Sequence, residues 1–159
     1  MVLIKIYNFK FKCKFNKKRF RLIIITLKKL IDKILFKIIN ASLNRVYKKN
    51  IDKFGFTPSG LFWSSRSSQY KRFKVLLCLI EKFIKNKKPS IADLGCGFGD
   101  FLLYLKKYSK SSYKYYGYDI NPKMIEYCKK KFSNFFFKVS SIPVEKCDLT
   151  LISGTYNYA

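Results

Sequence analysis

Three glycines on alternate positions, Gly95, Gly97 and Gly99, follow a short apolar run that carries Asp93, in the stretch Ser90 to Asp100 reading SIADLGCGFGD. A residue without Cβ lets backbone N–H groups come close to a ligand and tolerates positive φ. The spacing therefore describes a turn built for close approach and not a piece of core. Ile91, Ala92 and Leu94 fit a buried strand ahead of the turn, and Phe101 to Leu105 are compatible with a helix behind it. Strand, glycine loop and helix together form a geometry that cradles a nucleotide. Such a site needs a carboxylate for ribose hydroxyls about 20 residues beyond the last glycine. Asp119 stands there, at the end of Tyr115-Tyr116-Gly117-Tyr118. The ordinary dinucleotide fingerprint GxGxxG is not met, because the third glycine is Gly99 and Asp100 follows it.

The segments DLGCGFGD, YGYDINPKM and CDLTLISGTYNY, in that order and at that spacing, resemble the first, second and fourth motifs of class I S-adenosylmethionine-dependent methyltransferases. The resemblance covers Ser90 to Tyr158, with weaker support from Phe54 onward. It implies an α/β fold, a Rossmann-like parallel sheet with flanking helices, and methyl transfer from S-adenosyl-L-methionine to an acceptor that the sequence does not identify. By the same resemblance, Asp93 and the loop residues Gly95, Cys96, Gly97 and Gly99 face the amino acid part of the cofactor. Asp119 hydrogen-bonds both ribose hydroxyls, and Ile120 and Met124 wall the adenine. In that family a helix just ahead of the first strand often lies beside the methionine moiety, which here brings Gln69 or Arg72 near its carboxylate.

Two departures from the family pattern matter. After the third strand the family commonly has an acidic residue and then an apolar one, whereas this chain has Ser140-Ser141-Ile142, leaving the adenine contact to Ser141, Ile142 and nearby backbone. The fourth strand ends in Ser153-Gly154-Thr155-Tyr156, with neither the (D/N)PP(Y/F) motif of amino-methylating DNA enzymes nor the Pro-Cys pair of base C5-methylating ones. Both classes are disfavoured. Tyr156 could act as a base, but nothing separates it from the other tyrosines, and no catalytic base is assigned. A complete domain of the family has further strands after the fourth, so the chain is expected to be the N-terminal portion of an enzyme. The alternatives are a non-catalytic remnant that binds cofactor or a partner, and a basic module for RNA or membrane surfaces.

The elements that must position these residues follow an α/β alternation. Strands are predicted over Ile91 to Leu94, Lys114 to Tyr118, Phe135 to Val139 and Leu149 to Ile152, with helices over Phe101 to Tyr108 and Pro122 to Phe132. Pro122 suits the first helical position, where its missing N–H is not needed. Ahead of them, Phe73, Leu76, Leu77, Ile80 and Ile84 mark a helix ending near Asn86, before Pro89. Asn50 to Ser68, with Gly55, Pro58, Gly60 and four serines around Trp63, reads as a linker. The organisation is thus a basic leader and amphipathic helix over 1–45, a helical lead-in over 46–89, and the cofactor half-domain over 90–159.

Composition bounds the rest. A chain of 159 residues with 34 Lys or Arg, 9 Asp or Glu and no His carries +25. The absence of His excludes any His-based triad, His metal cluster or imidazole base from this chain. Five cysteines without metal or paired spacing fit a reducing cytoplasm better than a disulfide framework. Fifteen of the basic residues and a single acid fall in residues 1 to 50. This excess attracts nucleic acid or an anionic membrane, or it reflects the A/T-rich codons of Lys, Asn, Ile, Phe and Tyr. Phe9 to Phe15 alternate with lysines, as in a basic two-sided strand or a disordered leader. From Arg21 to Ser42, Ile23, Leu27, Leu30, Ile34 and Ile38 fall at helical spacing against Lys29, Asp32, Lys33 and Lys37. The uncharged run Leu22 to Leu27 is far below the roughly 18 to 20 residues of a membrane span. Such a helix packs on its own domain or lies on an anionic membrane surface.

Overall fold

The computed structural model describes residues 17–83 and 88–153. In chain order the elements are α1 (Lys17–Phe54), a 3-10 turn (Pro58–Leu61), α2 (Arg66–Phe83), β1 (Ser90–Leu94), α3 (Asp100–Tyr108), β2 (Lys114–Asp119), α4 (Pro122–Lys131), β3 (Phe136–Val139) and β4 (Leu149–Ile152). The four strands are parallel, in the order β3-β2-β1-β4. This is the incomplete Rossmann-like α/β sheet implied by the sequence. The chain winds outward from β1 to β3 and then returns to the other side of β1, so its direction reverses between β1 and β4. In open α/β sheets, ligands bind beyond the carboxyl ends of the strands at such a switch point.

The four strands and the helices α3 and α4 fall within one residue of the bounds read from the sequence. The first helix is longer than Arg21 to Ser42 because no Gly or Pro interrupts it before Gly55. There the chain takes φ +66 and the Gly55 N–H returns to Ile51 O at 2.7 Å, a left-handed stop that glycine adopts at little cost. The alternation over Phe9 to Phe15, the expected end of α2 near Asn86, and Tyr156 lie outside the described residues.

The chain forms two compact units, residues 1–41 and 42–159. In the first, every large apolar side chain from Leu22 to Ile39 is about half exposed or more. At the helical turn angle, Ile23, Ile24, Leu27, Leu30, Ile31, Ile34, Leu35 and Ile38 share one continuous band. Leu22, Ile25, Phe36 and Ile39 fall outside it, so the polar face is less clean than the five residues at helical spacing suggested.

In the second unit one core joins α2, α3, α4 and one face of the sheet. Phe73, Leu77 and Ile80 of α2 meet Phe101, Leu102 and Leu105 of α3, and Ile91, Tyr115 and Phe137 rise to them from the strands. Each such side chain, fully buried, contributes roughly 1.5 to 3 kcal/mol. Gly117 lies on this same face, and a Cβ there would run into the Phe137 ring and come within 3.2 Å of Cys96 Sγ. Only a residue without a side chain lets that ring lie flat beside the glycine loop. On the opposite face Ala92 and Tyr118 are buried, whereas Phe136 and Ile152 are exposed.

Candidate functional site

The glycine loop is strapped to the end of β2. Gly95, Gly97 and Gly99 all have positive φ, at 76°, 54° and 73°, a region costly for residues with a Cβ. This turns the amides of the loop inward. Gly95 and Cys96 donate their N–H groups to Tyr118 O at 2.7 and 3.0 Å, and Gly97 N–H donates to Asp119 Oδ2 at 3.0 Å. Close approach is needed on both sides of the loop, since a Cβ on Gly97 would lie 2.7 Å from Leu61 Cδ1 and one on Gly99 2.7 Å from Phe132 Cε2.

Asp119 ends β2 and is buried. Its Oδ1 accepts from Asn121 N–H at 2.9 Å while Oδ2 takes the Gly97 bond. A carboxylate has about four acceptor sites in all, so the amides on Asp119 leave capacity for a further hydroxyl. Burial raises its pKa, partly offset by the amides of Asn121, Gly97 and Ile120. Asn121 in turn caps α4, its Oδ1 accepting from Lys123 N–H at 3.0 Å, with Pro122 at the first helical position. Met124 is buried in the first turn of that helix, and Ile120 is half-buried between the two polar residues.

Asp93 is buried near the end of β1. The Tyr115 hydroxyl donates to its Oδ2 at 2.5 Å. Burial pushes the Asp93 pKa up to about 6, with the Tyr115 bond lowering it and the Asp119 charge adding to the rise. Burial and the neighbouring Asp93 charge hold the Tyr115 phenol well above its usual value, so it remains a donor.

A cavity of about 30 Å³ opens beside Asp93, lined by Leu61, Trp63, Gln69, Phe73, Asp93, Gly95, Cys96, Asp100, Phe101 and Ser153. That is room for a small polar group or one or two waters. Two polar atoms are buried here without a hydrogen-bond partner among the described residues, Gln69 Oε1 and Ser153 Oγ. Buried polar atoms of this kind ordinarily find partners, so their presence marks a place where a ligand or water supplies them. Asp100, the first residue of α3, is held from α2: Gln69 Nε2 donates to its Oδ2 at 3.0 Å and Arg66 Nη1 to its Oδ1 at 3.2 Å.

The structure thus brings together Asp93, Gly95, Cys96, Gly97, Gly99, Asp119 and Gln69 at the carboxyl ends of β1 and β2. It does not bring in Arg72, whose guanidinium lies over the Trp63 ring, 4.8 Å from its centroid, and is not among the groups lining the cavity. Helical phase is the reason: Gln69 and Phe73 share the buried face of α2, and Arg72 is turned aside from it. Ser141 and Ile142 are exposed in a turn that starts beside Asp119, where Ser140 N–H donates to Asp119 O at 3.0 Å and Ser140 Oγ donates to Ile142 O at 2.6 Å. Sequence reasoning did not single out Arg66 or Asp100, which reach the site through tertiary packing, whereas Ser153 was named in the stretch that closes the fourth strand. The spacing of Gln69 from Arg66 and Phe73, one helical turn either way, was the available signal.

The fold is an open parallel α/β sheet with a glycine loop at its switch point, and comparison with known proteins shows what it is similar to. A family model described as a methyltransferase domain matches residues 85–155. Among solved structures, the plantazolicin methyltransferase BpumL, in complex with a pentazolic desmethylPZN analog and SAH, is 20% identical, with a TM-score of 0.50 over 76% of this chain and 49% of that one. The PH0226 protein from Pyrococcus horikoshii OT3 is 25% identical, with a TM-score of 0.40 over 55% of this chain and 43% of that one. A TehB-like SAM-dependent methyltransferase from Corynebacterium glutamicum ATCC 13032 Kitasato is 22% identical, with a TM-score of 0.38 over 55% and 52%. This chain spans about half the length of these structures. A comparison with curated proteins finds no match. The resemblance to class I methyltransferases read from the motifs is borne out, and the sheet carries their Rossmann-like fold.

Proposed function

We propose that the chain binds S-adenosyl-L-methionine and belongs to an enzyme that transfers its methyl group to an acceptor not yet identified. One observation carries this reading: Asp119 closes the end of β2 directly against the amide of Gly97, with acceptor capacity left on its carboxylate. A carboxylate and a glycine cradle so joined suit a nucleoside whose ribose presents two hydroxyls. Asp93 and the unpartnered Gln69 Oε1 line a cavity that takes one small polar end of such a ligand. The cofactor, when bound, supplies an electrophilic methyl on a sulfonium. The residues of this chain bind and orient, and positioning alone supplies much of the catalysis in displacements of this type. The four described cysteines, Cys78, Cys96, Cys128 and Cys147, are unpaired, which supports a cytoplasmic setting. No helix among the described residues is long and apolar enough to cross a membrane.

The test is titration of the purified chain with S-adenosylmethionine and S-adenosylhomocysteine, followed by calorimetry and by the emission of Trp63, the sole tryptophan, which lines the cavity. Asp119→Ala is expected to weaken binding at least about tenfold, or 1.4 kcal/mol. Because Asp119 also holds the loop, a thermal melt accompanies each titration. A folded wild-type chain that binds neither compound overturns the proposal.

A further inference from the structure

We infer that the N-terminal part of α1 docks on an anionic lipid surface. Ile23, Leu27, Leu30, Ile31, Ile34 and Ile38 lie on one band of this helix, and each is about half exposed. An apolar strip this long marks an interaction surface, and the charges around it select the occupant. Between Lys17 and Phe54 the helix carries twelve Lys or Arg against only Asp32 and Asp52. At helical spacing Lys28 and Lys37 border the band on opposite sides, and Lys29 and Lys33 stand behind it alongside the exposed Leu22, Ile25, Phe36 and Ile39.

An anionic bilayer satisfies both features at once. The band sinks to the boundary of the acyl chains, and the lysine stems extend outward so that their ammonium groups meet lipid phosphates. A nucleic acid would pair with the lysines but leave the apolar band in water. A second copy packed band to band would cover the apolar surface while setting two strongly cationic helices side by side, with only the two aspartates of each to offset them. This inference does not rest on the cofactor reading.

The experiment is cosedimentation of the full chain with vesicles of phosphatidylcholine alone and of phosphatidylcholine mixed with phosphatidylglycerol, across a salt series. Single-stranded oligouridine serves as a competitor, and sedimentation velocity reports the oligomeric state. Partition onto the mixed vesicles is expected to exceed that onto neutral ones at least about tenfold and to fall as salt rises. Leu30→Glu with Ile34→Glu, both to a good helix former, should lower that partition by a similar factor. Lys28→Gln with Lys33→Gln and Lys37→Gln should abolish the preference for anionic lipid, which keeps the test decisive if the first variant misfolds. Equal partition onto both vesicle types overturns the inference. So does oligouridine binding without vesicle binding, or a wild-type dimer that Leu30→Glu with Ile34→Glu dissociates.

Discussion

Asp93 provides a sharp test of the electrostatic account of the site. Its pKa in the folded chain, about 6, lies above the 3.8 of an exposed aspartate because burial penalises the ionised form. The folded state therefore binds a proton that the unfolded state has already released between those two values, and stability must fall as pH rises through that window. The stability linked to the proton is present in full below about pH 4 and is lost as pH rises through 6. Two units of difference, at about 1.4 kcal/mol each, amount to about 3 kcal/mol at pH 7. Asp93 is only 3% exposed, so solvent screening does little to reduce this. Asp93→Asn keeps the shape and an acceptor for the Tyr115 hydroxyl while removing the charge. It is expected to be more stable than wild type by up to about 3 kcal/mol near pH 7, with the gap closing toward pH 4. Urea unfolding of both chains across that range measures it. The reasoning fails if the gap is the same size at both ends, or if the variant is the less stable chain at pH 7.

Two further substitutions separate parts of the site. Gly117→Ala forces the Phe137 ring off its seat against the loop, and equilibrium unfolding should show a loss of about 1 to 3 kcal/mol typical of an overfilled core. Arg72→Ala removes a cation from the outer side of Trp63 at a cost of no more than about 1 kcal/mol. It should alter Trp63 emission while leaving the affinity for S-adenosylmethionine within about twofold, as read by calorimetry against wild type.

What the sequence revealed was whatever depends on backbone chemistry. Gly95, Gly97 and Gly99 on alternate positions permit the positive φ that a loop of close approach uses, and all three have it. The strand bounds were legible because each apolar run is closed by Gly, Pro, Asp or Ser. The partners of Asp100 were not, because Gln69 and Arg66 lie 31 and 34 residues away in sequence and meet it only when α2 packs on α3. The choice between Gln69 and Arg72 turned on helical phase. Phe73, Leu77 and Ile80 define the buried face of α2, and Gln69, four residues before Phe73, shares it. The family pattern placed Ser141 and Ile142 at the adenine, and the turn made by Ser140 leaves both exposed beside the end of β2, where Ser140 N–H meets Asp119 O.

The distribution of charge at the site argues in the same direction as its geometry. The chain has nine acidic residues among thirty-four basic ones, yet Asp93, Asp100 and Asp119 are all buried at the carboxyl end of one sheet. Only Asp100 has an ion pair there among the described residues, through Arg66. Asp93 is held by a phenol and Asp119 by amides, neutral donors that satisfy oxygens without cancelling charge. Burying carboxylates without cations is costly, and it persists here despite an abundance of lysine elsewhere in the chain. A ligand that brings its own positive charge offsets that cost on binding. S-adenosylmethionine, with a sulfonium and an ammonium group, is such a ligand. The electrostatic field of the sheet's end thus supports the same proposed cofactor that the glycine cradle and Asp119 suggest from shape.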